Sequence, residues 1–101
     1  MDVRAVADDV QPLLVEVIDL ALVSKQAHWV SRGPLFCPLG AALDELSEDD
    51  LGWADGLAQR LAAIGVPPDG RTDTVARQTP FRVFPSGFVD HAQVVAEFFA
   101  R

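Results

Sequence analysis

The chain has 101 residues, half of them apolar, which excludes a disordered polymer and leaves room for one small domain. Its net charge is −7, with 8 basic residues against 15 acidic ones, so its surface repels phosphate instead of neutralising it. A single cysteine, Cys37, excludes an internal disulfide and fits a reducing, cytoplasmic compartment.

The N-terminal stretch MDVRAVADDV lacks a basic segment followed by an apolar core, so no secretory leader is expected. Val10–Val23 comes nearest to a membrane span, but Gln11, Glu16 and Asp19 interrupt it, and a span takes about 18 apolar residues. The first element is a long helix over about residues 3–30. Val6, Val10, Leu13, Val17, Leu20, Ser24 and Ala27 recur at alternating steps of four and three. Leu14, Ile18 and Leu22 form a second apolar row beside the first. An ordinary surface helix has one stripe, so two stripes predict burial on more than one side.

Gly33-Pro34 ends that helix, because proline removes a donor and glycine permits a turn. Pro38 suits the first turn of a second helix over about 38–64. Its core stripe is Leu39, Leu43, Leu46, Trp53, Leu57, Leu61 and Ile64, with Asp50 in an apolar place and Leu51 in a polar one. Gly65 is the expected stop. Cys37 reads as a small packing residue. Glu45, Glu48 and Asp49 read as a solvated face.

Residues 66–87 form a long connector with Pro67, Pro68, Pro80 and Pro85, and Thr72–Gln78 reads as a short helix within it. A bundle whose second and third long helices run parallel needs such a crossover. A further helix is expected over 88–101, capped by Ser86 and with Val89, Ala92, Val95, Ala96 and Phe99 on its apolar face. His91 reads as a surface residue there. The fold class is therefore all-α. It is an incomplete helical bundle in a single domain, with two long antiparallel helices, a crossover and the start of a third helix.

The chemistry concentrates between Lys25 and Gln59, in KQAHWVSRGPLFCPLGAALDELSEDDLGWADGLAQ. Asp44 and Asp55 are eleven residues apart, about three helical turns, so both carboxylates project from one side. Residue 59 lies one turn beyond Asp55 on that side. Taken alone, His28 reads as a helix-end imidazole near the last carbonyls. The constellation A-H-W-x-x-R-G-P, Asp44 and Asp55, with GRTDTVA in the crossover, resembles the Dps family of ferritin-like proteins. The resemblance covers residues 5–101 and the first part of a usual member.

That resemblance implies a mini-ferritin that oxidises Fe(II), often with peroxide, and stores the ferric product in a hollow shell, protecting the cell against oxidative stress. It implies an iron site across a two-fold interface between homo-oligomer subunits, dodecameric in the family. His28 and Asp44 match the histidine and aspartate that one subunit supplies, and Asp55 matches the aspartate of the other. Two of the five usual ligand positions differ: Gly40 stands where the second histidine is expected, and Gln59 where a glutamate is expected. Glycine supplies no ligand, and an amide oxygen is a weaker iron ligand than a carboxylate. The remaining set is His28, Asp44 and Asp55, holding iron weakly. Some family members grip DNA with a lysine-rich tail. Here Asp2, Asp8 and Asp9 open the chain and the one lysine is Lys25, so no strong DNA binding is expected. The rival expectation is a truncated, non-catalytic relative that acts as an oligomerising helical subunit. A small helical interaction module is a third.

Overall fold

The computed structural model describes residues 2–101, apart from the side chain of Phe36. Helix α1 spans Val3–Val30 and helix α2 spans Phe36–Ala63. They run antiparallel, as shown by the contacts of His28 with Asp44 and of Ser47 with Ala21. Each has 28 residues, about 42 Å of helix, and together they set the long dimension of 51 Å. None of the described helices is long and apolar enough to cross a membrane.

Helix α1 starts where the Asp2 carboxylate accepts hydrogen bonds from the backbone N–H of Arg4 and Ala5, satisfying two donors that a helix start leaves free. It ends where Ser31 turns extended. Strand β1, Ser31–Arg32, pairs in parallel with β2, Val89–Asp90. Gly33, at φ +128°, then reverses the chain into α2. Helix α2 begins at Phe36, so Pro38 sits in its first turn, where an N–H would have no intrahelical partner. It ends at Gly65, φ +83°, whose N–H donates to Ala62 O, while Val66 N–H donates to Leu61 O. That pair of bonds is the Schellman stop.

The connector carries α3, Thr72–Gln78. Its path is pinned to α1 at two places. The Gln11 amide donates to Asp69 O and accepts from Asp69 N, and Thr79 Oγ1 donates to Asp19 at 2.6 Å. The Asp69 carboxylate accepts from Arg71 and Thr74, closing the turn into α3. Helix α4 spans His91–Phe99 and is capped by Asp90, whose carboxylate accepts from Ala92 N. Ser86 does not cap it: α4 starts five residues later because residues 89–90 are drawn into the pairing with β1. The Arg32 guanidinium stacks over the Phe88 ring at 3.9 Å at the same joint.

The core has two parts. Val23, Ala27, Leu43, Phe84, Val89 and Val94 form one, and Leu14, Ala54 and Leu61 form the other. Several stripe residues lie outside both: Leu13, Leu22, Leu46 and Trp53 are exposed. Asp50 takes the buried place that the periodicity assigns to it, at 8% exposure. Cys37 is exposed instead of packed. His91 is not a surface residue either, because its side chain is only 22% exposed and a Cβ on Gly33 would run into its ring.

Candidate functional site

The last turn of α1 and the third turn of α2 bring His28 and Asp44 together. Each element has a local reason to present its side chain here. Ala27, with no exposure, and Leu43, at 5%, form the packed seam, so the residues that follow them in sequence stand at its edge. His28 Nδ1 lies 2.7 Å from Asp44 Oδ1, and Lys25 Nζ lies 2.8 Å from the same oxygen. Lys25 and His28 are three residues apart on one face of α1, so both reach one carboxylate. The side chains are 28–38% exposed, so solvent still screens the charges.

The Lys25 hydrogen bond is the main cause that holds the Asp44 carboxyl below its usual range, with His28 adding to it and partial desolvation opposing it. Asp44 is therefore an anion with a resident cation. A ferrous ion seeking the same oxygen must displace the Lys25 ammonium or share the carboxylate with it.

Asp55 is placed elsewhere. It is exposed on α2, eleven residues beyond Asp44 and about 16 Å along the helix axis. Gln59 is exposed one turn further. One copy of the chain thus joins His28 to Asp44 and leaves Asp55 outside the pair. Among the described residues no three His, Cys, Asp or Glu side chains group closely enough to hold a metal. A site built from all three needs Asp55 from a second copy.

Lys25 is the member that composition alone hides, because a lone lysine registers there only as charge. Its spacing of three from His28 was the available signal. Gly40 is the other. It is buried under the His28 ring, and a Cβ there would stand 2.8 Å from His28 Cδ2 and 2.9 Å from Nε2.

No protein-family model matches the chain. It is 35% identical over 97 residues to DNA protection during starvation protein 2 of Deinococcus radiodurans, covering 96% of this chain and 40% of that protein. The crystal structure of Dps92 from Deinococcus radiodurans superposes with a TM-score of 0.95 at 33% identity, over 98% of this chain and 60% of that one. Dps from Microbacterium arborescens, solved in a high iron form, gives a TM-score of 0.86 at 31% identity, over 97% of this chain and 66% of that one.

Proposed function

Because this chain belongs to the Dps family of ferritin-like proteins, while spanning well under the full length of those relatives, we propose that it is an iron-binding subunit of a homo-oligomer. Two copies pair about a two-fold axis. His28 and Asp44 of one copy then face Asp55 of the other, and ferrous iron is the substrate bound between them. The family reaction removes an electron from Fe(II), passes it to peroxide or dioxygen, and retains the ferric product within a shell. The protein works in the cytoplasm and, at a net charge of −7, does not grip DNA strongly.

The observation that supports this reading is the 2.7 Å contact of His28 with Asp44 across the helix pair, one imidazole and one carboxylate of the kind ferrous iron takes. Anaerobic titration with Fe(II), followed by exposure to peroxide, tests it. Wild type is expected to bind iron and speed its oxidation over buffer, and His28→Ala with Asp44→Asn to abolish both. Wild type that neither binds iron nor speeds its oxidation would refute the reading.

A second reading is favoured by the Lys25 ammonium on Asp44, together with Gly40 and Gln59. Here the chain assembles with other copies but oxidises no iron. Light scattering that shows a defined oligomer, beside a silent iron titration, selects it.

A further inference from the structure

Helix α2 contains three glycines with different surroundings. A Cβ added at Gly52 or Gly56 would meet nothing within 4 Å among the described residues, whereas Gly40 lies directly under the His28 imidazole. A Cβ at 2.8 Å from Cδ2 and 2.9 Å from Nε2 is closer than real side chains stand, and the obstruction is a ring. The imidazole occupies this place only because residue 40 has no side chain. In this pose Nδ1 is engaged by Asp44 Oδ1, and the Cδ2–Nε2 edge lies over the backbone of residue 40. The nitrogen left for a metal is shielded on that side by α2.

We propose that Gly40 is a positioning residue that seats His28 against α2 as a latch between the two long helices, and thereby weakens the hold of His28 on a divalent metal. The proposal rests on the iron-binding reading of His28 and Asp44. Hydrogen-bond partners that fix the orientation of a metal-binding histidine are typically worth about 10–100-fold in affinity, which sets the scale for ring placement; the seat acts through geometry without itself being a ligand. Lys25 works in the same direction, because it holds the carboxylate that the freed imidazole would join.

The test uses Gly40→Ala, which adds a Cβ and no ligand, with Gly52→Ala as the control on the same helix. In metal-free protein, the imidazole NMR signals of His28 are expected to move in Gly40→Ala while those of His91 stay. Gly52→Ala moves neither. Thermal melts carry a second readout. Gly52→Ala raises Tm in any background, whereas Gly40→Ala does so only after His28→Ala has removed the ring. Titration with Co(II) should show affinity about tenfold higher in Gly40→Ala than in wild type.

The seat is overturned if Gly40→Ala leaves the His28 signals in place and raises Tm equally with and without the ring, while both proteins bind Co(II) alike. If neither protein binds Co(II), the iron reading falls and takes the effect on metal with it, so the two failures are told apart.

Discussion

The two ends of the long helix pair are held by different means. At the end away from His28, Leu14, Ala54 and Leu61 pack with Ala7, Val10, Val17, Leu57 and Val66, all from α1, α2 and the residue just past Gly65. At the His28 end, Val23, Ala27 and Leu43 are completed by Phe84, Val89 and Val94, which arrive from the crossover, β2 and α4. Between them lies a polar belt of Ser24, Ser47 and Asp50, all buried. The two serines are satisfied by carbonyls of α1, Leu20 O and Ala21 O. One end is thus a local amphipathic pair. The other, which carries the candidate site, depends on residues far away in the chain. The difference places packing between α1 and α2 alone in one half, and the chemistry in the half whose core is completed from outside the pair.

Leu61→Ala probes this division with the largest expected effect. Leu61 has no exposure, and removing it is expected to cost about 2–5 kcal/mol in urea unfolding. Its His28 signals should stay unchanged, since the damage is confined to the far cluster. Val94→Ala, also in a site of no exposure, deletes fewer atoms and is expected to cost roughly 1–3 kcal/mol. It should nevertheless move the His28 signals, because Val94 packs in the cluster that holds Ala27 and Leu43. If Leu61→Ala shifted His28 as much as Val94→Ala does, the two ends would be one cooperative core and the division would fail.

The belt supplies the next effect. Asp50 Oδ2 is buried with no hydrogen-bond partner among the described residues, and burial, helped by the neighbouring Asp49 charge, raises its carboxyl above the ordinary 3.8. The folded state therefore binds this proton more tightly than the unfolded chain does. Its contribution to stability is complete below 3.8 and is lost as pH rises through the folded value. Asp69 and Asp44 have the opposite sign. Their carboxyls are lowered, first by Arg71 and by Lys25 respectively, so their contribution is present above the ordinary value and lost as pH falls. Asp50→Leu should stabilise the protein at neutral pH by about 1–3 kcal/mol, the cost of an unmet buried polar group. The gap to wild type should shrink as pH is lowered toward about 4. A gap that stays constant with pH would show that Asp50 is paired in solution.

These features were unevenly legible in the sequence. Local signals carried the all-α class, the α1–α2 pair and the crossover with its short helix, because caps, apolar period and proline act over a few residues. The start of α4 was misread at Ser86, since what delays it is a pairing of Val89 with Ser31, 58 residues away. His91 and Cys37 were assigned to each other's surroundings for the same reason: exposure is set by which distant segment covers a residue. At the site, His28 and Asp44 stood out by their spacing. Gly40 stood out only as a missing ligand and Lys25 only as the one lysine, because the contact of each with the His28–Asp44 pair shows only once their neighbours are known.

Gly52→Ala is the mildest probe and the cleanest one. Among the described residues nothing lies within 4 Å of the added Cβ, so no packing changes and only the backbone entropy of the unfolded chain is reduced. The expected gain is about 0.5–1 kcal/mol, read as a higher urea midpoint with an unchanged slope. Residue 52 lies on α2 between Asp50 in the belt and Ala54 in the far cluster, so the gain should go to the half built from α1 and α2 alone. A stiffer α2 there should leave the candidate site as it was, because the site depends on α4 and the crossover instead. Movement of the His28 signals in this variant would mean that strain passes along α2 through the belt, and that the polar residues between the clusters join the two ends instead of separating them.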